Sequence, residues 1–319
     1  MADNYIVSAR KYRPDSFQSI VGQGAMASTL RTAVQQGRLA HAYLFCGPRG
    51  VGKTTAARVL AKTINCQSLT AEGEACNECE SCRAFNEGRS FNIFELDAAS
   101  NNSVEDIRQL TEQVTMPPAL GKYKVYIIDE VHMLSVTAFN AFLKTLEEPP
   151  SYAIFILATT EKHKILPTIL SRCQIYDFKR ITVGDITHHL QYVAQSEGIV
   201  ADEAALGLIA EKADGGMRDA LSMFDRIASF AGGQITYEHA LESLNVLDYS
   251  YFIRTFDDLL TGDYRSLLLL LDELLGKGFE GQTILAGLAA FARDLLVVQH
   301  PGTSVLLEKP ERVTQAYEA

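Results

Sequence analysis

The chain has 319 residues and 47% of them are apolar, so it is long enough for two or three domains with buried cores. Its net charge of −10 argues against gripping nucleic acid through overall charge, and leaves local patches, helix N-termini or assembly with other subunits for any such contact. No apolar run approaches the roughly 20 residues that span a bilayer, and the N-terminal segment lacks the basic and apolar regions of a signal peptide, so a cytoplasmic location without a membrane partner is expected.

Up to about residue 180, strand-like and helix-like segments alternate. Ala42–Cys46, Ile93–Asp97, Lys124–Ile128, Ala153–Ala158 and Gln174–Phe178 read as strands, several of them nearly continuous apolar runs of the kind buried on both faces. Helical patterns lie between them at Lys53–Ile64, Ser103–Val114 and Val136–Leu146. This alternation predicts an α/β fold on a doubly wound parallel sheet. From about Thr182 the strand signal fades. Thr182 and Asp185 form a candidate capping box for a helix through Ser196, followed by helical patterns at Asp202–Ala213, Gly216–Phe230 and Tyr237–Leu244. A third region has apolar periodicity at Ser250–Leu260, Tyr264–Leu275 and Gly281–Val298, then a polar, poorly patterned tail to Ala319. The expected domains are 1–180, 181–245 and 246–319. There are no evident repeats, low-complexity linkers or heptads.

Gly47-Pro48-Arg49-Gly50-Val51-Gly52-Lys53-Thr54 fills every fixed position of the phosphate-binding P-loop and lies between a predicted strand and a predicted helix, its required context. The glycines let backbone N–H groups face phosphate oxygens, and the helix N-terminus adds positive potential. Lys53 is expected to reach the β- and γ-phosphates of ATP and Thr54 to ligate Mg²⁺; Thr55, next in the helix, is counted with the nucleotide contacts. Downstream, the apolar strand Lys124–Ile128 ends in Asp129-Glu130, the expected second nucleotide motif. Asp129 would hold Mg²⁺, and Glu130 would orient and polarise the attacking water. His132 is read either as a signalling residue or as a partly exposed structural histidine.

Cys66, Cys76, Cys79 and Cys82 have the spacing C-x9-C-x2-C-x2-C. Four thiolates complete a tetrahedral Zn²⁺ shell, and with no open position such a site is structural. Free surface thiols and an iron–sulfur cluster are the alternatives. The zinc module is expected at about residues 64–85.

Together these residues resemble the gamma/tau family of bacterial DNA polymerase III clamp-loader subunits, which are ATPases of the AAA+ class. The likeness runs from Ala9-Arg10-Lys11-Tyr12-Arg13-Pro14 and Val21-Gly22-Gln23 through the P-loop, the four cysteines, Asp97-Ala98-Ala99-Ser100 and Asp129-Glu130-Val131-His132. It continues through Leu146-Glu147-Glu148-Pro149-Pro150, Leu157-Ala158-Thr159-Thr160 and Ser171-Arg172-Cys173 to Gly216-Met217-Arg218-Asp219. It covers about the first 245 residues. The resemblance implies that Thr160, with Thr159 beside it, senses the γ-phosphate. Arg172 is implied as an arginine finger acting in trans on a neighbouring subunit, and Arg218 as a second sensor. Ala9, Arg10, Tyr12, Arg13 and Pro14 are implied to line the base and ribose pocket. Ser103, which stands where the family often has a basic residue, Arg108 and Lys144 align with positions that approach DNA phosphates. The implied architecture is an AAA+ domain with a zinc insertion, a helical lid and a helical collar, and the family's collar normally continues beyond Ala319. The implied function is ATP-driven loading of the sliding clamp onto primed DNA, within a pentameric ring of gamma/tau copies, delta and delta-prime. A non-hydrolysing delta-prime-type subunit and another AAA+ DNA-remodelling ATPase, such as a branch-migration helicase, are the competing readings.

Overall fold

The computed structural model describes residues 6–118 and 121–300, together with 302, 303, 306, 307 and 317. Much of the polar tail lies outside the described residues. The chain forms two compact units. One comprises residues 9–182 with 216–218, and the other comprises Ser8 with residues 183–215 and those from 219 on.

The first unit is built on five parallel strands, β1 (Ala42–Cys46), β2 (Ile93–Asp97), β3 (Lys124–Asp129), β4 (Ala153–Thr159) and β5 (Gln174–Asp177), in the spatial order β2-β3-β4-β1-β5. Every residue of β1 and β4 is buried, which explains their unbroken apolar runs. Alternate side chains feed two cores. Tyr43, Phe45, Ile127 and Ile156 pack under the helices Gly24–Gln35, Lys53–Ile64 and Glu80–Asn86. Leu44, Tyr126, Ile128, Phe155 and Leu157 pack under Val104–Val114, Val136–Glu147 and Pro167–Leu170. Pairing in register brings Cys46 opposite Thr159 and Asp97 opposite Asp129. The strands' carboxyl ends therefore lie along one edge of the sheet, where open α/β sheets bind ligands.

The second unit is mostly helical. Val183–Glu197, Glu203–Lys212, Tyr237–Leu244 and most of Met217–Ala231 enclose Ile186, Leu190, Ile209, Phe224 and Ile227. Val200–Ala201 and Gln234–Ile235 add a short parallel pair that the fading strand signal did not reveal. Three more helices follow, Tyr249–Thr261, Tyr264–Gly276 and Gly281–Val298. Asp248 and Asp263 start the first two by accepting the N–H groups of Ser250 and Ser266. Gly281–Val298 corrects one expectation, since by length and composition it is apolar enough to cross a membrane. It carries Arg293 and Asp294 side by side, and Phe291 packs its ring against Phe252 and Phe256.

Candidate active site

The P-loop leaves β1 through Gly47, whose φ is +149°. A β-carbon there would lie 2.6 Å from the carbonyl oxygen of Phe178, in the segment that itself donates its N–H to Cys46 at 2.7 Å. Only glycine fits so close to a neighbouring backbone. Gly50 and Gly52 are also left-handed, and Gly52 opens the helix that begins at Lys53. That helix has no acidic residue in its first turn, so its free N–H groups face an anion without competition. Val51 is anchored in the core, whereas Arg49 is exposed. The buried Lys53 ammonium donates to the carbonyls of Gly47 at 2.8 Å and Pro48 at 2.7 Å. Burial lowers its pKa, while Glu130 and Asp129 act to raise it.

The two expected magnesium ligands meet. Thr54 Oγ1 donates to Asp129 Oδ2 at 2.6 Å, although the residues are 75 apart in sequence. A hydroxyl and a carboxylate so placed are hard oxygen donors suited to Mg²⁺. Glu130 follows in a left-handed conformation with φ +47°, and its N–H donates to Asp129 Oδ1 at 2.9 Å. This costs a non-glycine residue about 1–2 kcal/mol. Thr160 Oγ1 donates to Glu130 Oε2 at 3.1 Å, which brings the expected sensor onto the expected catalytic carboxylate. His132 also belongs here: its Nδ1 lies 3.0 Å from Thr159 Oγ1, and its ring is well enclosed. Sequence spacing carried no signal for that contact.

The first unit also gathers a cluster of arginines. Arg10 lies in the short helix Ser8–Lys11, and Arg13 just beyond it. The pKa of Arg13 is lowered by partial desolvation, then by Arg58, with Arg218 and Arg10 adding repulsion and Glu95 opposing it. Arg58 itself pairs with Glu95. Ala9, Tyr12 and Pro14 complete the expected base-pocket segment, which is followed by Val21-Gly22-Gln23. Gln23 Nε2 donates to the carbonyl of Lys179 at 2.7 Å, and Gly22 packs on Ile181. Gln23 thus holds this segment against the chain beyond β5.

Arg172 is one-third exposed and lies on the first unit's surface. It pairs with Glu147 at 2.8 Å and donates to the carbonyl of Thr168 at 2.6 Å. Of the expected DNA contacts, Ser103 caps Val104–Val114 in a capping box with Asp106. Arg108 is exposed beside Glu105, and Lys144 is exposed on Val136–Glu147.

The four cysteines converge. Their sulfurs all lie within 4.8 Å of one another, and Cys66 and Cys76 are 3.5 Å apart. A tetrahedral zinc–thiolate shell has sulfur–sulfur edges of roughly 3.8 Å, so the set fits Zn²⁺. The amides of Cys79 and Glu78 hold the Cys76 thiol down at about 6, while burial pushes Cys66 and Cys82 up. Buried Lys62 donates to Asn77 Oδ1 at 2.7 Å, which ties the knuckle to the P-loop helix. A contact unseen in the sequence ties it elsewhere. The buried Glu74 carboxylate accepts the N–H groups of Phe17 at 2.9 Å and Gln18 at 3.1 Å.

A P-loop after β1, an acidic pair at the end of β3, a threonine after β4 and a mostly helical unit later in the chain define the AAA+ class of P-loop ATPases. Solved structures share this fold: the Thermotoga maritima RuvB Holliday junction branch migration motor has a TM-score of 0.55 at 20% identity, with 78% of this chain and 79% of that chain covered. The family model for "DNA polymerase III, delta subunit" matches residues 22–182, and that for "DNA polymerase III clamp loader subunit, ATPase lid domain" matches 185–233. The chain belongs to the DNA polymerase III clamp-loader subunit family. The Bacillus subtilis DNA polymerase III subunit tau is 44% identical over 307 residues, covering 96% of this chain and 54% of the relative. The Escherichia coli subunit tau is 40% identical over 297 residues, covering 93% and 46%. The chain thus spans about half the length of these curated relatives.

Proposed function

We propose that this chain binds and hydrolyses ATP as a motor subunit of a clamp loader, and that turnover drives placement of a sliding clamp on primed DNA. The observation that carries the reading is the Thr54–Asp129 hydrogen bond beside the Thr160–Glu130 hydrogen bond, both at the mouth of an intact P-loop. Lys53 and the loop amides bind the triphosphate, exchanging the Gly47 and Pro48 carbonyls for phosphate oxygens. Bound Mg²⁺, held by Thr54 and Asp129, would offset charge on the β- and γ-phosphates. Glu130 orients the attacking water, and Thr160 keeps that carboxylate in place. Arg218 joins Arg13 and Arg10 on the nucleotide, with Ala9, Tyr12 and Pro14 along the base and ribose. Arg172 serves a neighbouring subunit's site, so Glu147 is the partner it leaves on assembly.

In this reading residues 1–180 form the ATPase domain with a structural Zn²⁺ on Cys66, Cys76, Cys79 and Cys82. Residues 181–245 form the lid, and 246–319 belong to a collar. Exposed leucines in the last region, Leu260 at 83%, Leu268 at 65% and Leu285 at 68%, support a role in assembly. The partners are other gamma/tau copies with delta and delta-prime in a pentameric ring, the clamp, and primed DNA near Ser103, Arg108 and Lys144, all in the cytoplasm. A non-hydrolysing delta-prime-type subunit is the second reading, favoured by the name of the family model that matches residues 22–182. The complete set Lys53, Thr54, Asp129 and Glu130 opposes it, and the four-cysteine knuckle opposes a branch-migration motor. The test is ATP turnover by the chain mixed with delta, delta-prime and clamp. Stimulation by primed DNA is expected, and absence of turnover in the full mixture overturns the proposal.

A further inference from the structure

His132 has no part in the chemistry above, yet it occupies the centre of the site. It lies in the short turn Val131–Met133 after β3, with its side chain only 8% exposed. Its Nδ1 is 3.0 Å from Thr159 Oγ1 and 3.5 Å from Glu130 Oε2, and its Nε2 is 3.1 Å from Glu161 Oε2. The hydrogen-bond directions follow from the donors present. Thr159 Oγ1 accepts the N–H of Glu161 at 3.0 Å, so its single proton is available to His132 Nδ1. Nδ1 then accepts, and Nε2 carries the proton donated to Glu161, whose carboxylate also takes Lys164 Nζ at 2.6 Å. One imidazole thus closes a circuit between the turn after β3 and the turn after β4. Glu130 sits on the first turn and Thr160 on the second.

We propose that His132 is a positioning residue that locks these two turns together, so that Glu130 and Thr160 keep the geometry needed to aim water at the γ-phosphate. The inference rests on the ATPase reading above. In this tautomer the one lone pair of Nδ1 is taken by the Thr159 hydroxyl, so the ring donates nothing to the Glu130 carboxylate 3.5 Å away. It limits the carboxylate's swing on one side, while the Thr160 hydroxyl holds it at 3.1 Å. The lock matters because the backbone of Glu130 is left-handed and relaxes once the turn is untied.

The experiment uses the whole chain in its assembled complex. ATP affinity, kcat and KM are measured for His132→Ala, His132→Gln, Glu130→Gln and the His132→Ala/Glu130→Gln pair. With Lys53 and Thr54 untouched, His132→Ala should keep ATP affinity and KM within about twofold and lose about 10–100-fold in kcat, the scale of a 1 Å misplacement. His132→Gln, which can still reach Glu161, should recover part of that loss. In the Glu130→Gln background His132→Ala should change single-turnover hydrolysis by less than about twofold, because it acts only through Glu130. Loss that multiplies in the pair, or an unchanged kcat in His132→Ala, overturns the proposal while the ATPase reading stands. A wild-type complex without turnover overturns both.

Discussion

Replacing Glu74 by alanine tests whether the cysteine knuckle braces the segment that carries Arg10–Pro14. The Glu74 carboxylate accepts two backbone N–H groups, those of Phe17 and Gln18, across 57 and 56 residues of sequence. Phe17 is 2% exposed, so its buried N–H loses its partner. A hydrogen bond to a charged group contributes about 1.5–3 kcal/mol, and a neutral or wetted one about 1 kcal/mol or less. Gln18 is exposed, so its share falls at the lower end. The sum is about 3 kcal/mol, or roughly 6–12 °C in Tm for a unit of this size. Glu74→Gln keeps one acceptor oxygen and should recover about half. The assay is denaturant unfolding of the zinc-loaded chain, with ATP affinity measured in parallel at a temperature where every variant is folded. ATP should bind more weakly to Glu74→Ala, since the loosened segment contains Arg10 and Arg13. A stability within about 0.5 kcal/mol of wild type would refute the reasoning, because a buried orphan donor cannot be that inexpensive.

Lys53→Ala should abolish tight ATP binding, whereas Glu130→Gln should bind ATP and lose turnover; calorimetric titration and single-turnover hydrolysis separate the two, and equal affinity for wild type and Lys53→Ala counts against the site. Elemental analysis of native protein should find about one zinc per chain, and chelation should raise hydrogen exchange across residues 66–82 more than it weakens nucleotide binding. An iron–sulfur absorption band would contradict that assignment. Arg172→Ala in mixed complexes should slow hydrolysis at the neighbour's site and leave its own chain's site responsive to an intact neighbour. In other P-loop enzymes a finger contributes about 10³–10⁵ in rate, and a smaller loss is expected where conformational steps limit turnover. Loss confined to the mutated chain's own site, whatever its neighbour, would place the residue in cis.

The residues legible in the sequence were those whose identity the chemistry dictates locally. Gly47, Gly50, Gly52 and Lys53 answer to a phosphate loop wherever it occurs, and the strands β1 and β4 announce themselves because both faces are covered. The Gly24–Gln35 helix escaped notice because its start has no side-chain cap and its apolar positions are mostly small. Val200–Ala201 and Gln234–Ile235 are two residues each, too short to show a period. Several ends moved by a residue or two: Ser103 stands outside its helix as the cap, and β4 runs on to Thr159. Long-range partners were illegible for a different reason. The pairs Glu74–Phe17, Arg172–Glu147 and His132–Thr159 join segments that only the folded sheet brings together, so no spacing rule encodes them. The net charge of −10 is a whole-chain average, so it carries no signal of the local gathering of Arg10, Arg13, Arg58 and Arg218.

The strand order explains why a threonine after β4 reaches the proposed phosphate site at all. β4 lies between β1 and β3, and neighbouring strands are about 4.8 Å apart. The P-loop and the acidic pair therefore leave the sheet about 10 Å from each other, with the end of β4 between them. The residues at the end of β4 and just beyond it must face both. Thr159 does so through its backbone, whose carbonyl accepts the N–H of Gly47 at 3.2 Å, and through its hydroxyl, which meets His132. Thr160 does so through its hydroxyl on Glu130. In the proposed ATPase, a phosphate entering the loop would displace Lys53 from the carbonyls of Gly47 and Pro48, and Gly47 is the residue whose N–H bonds Thr159. The shortest path from phosphate to catalytic carboxylate then runs from the loop to β4 and from β4 to Glu130. In the proposed ATPase, the sheet order puts the end of β4 where occupancy of the loop would be read.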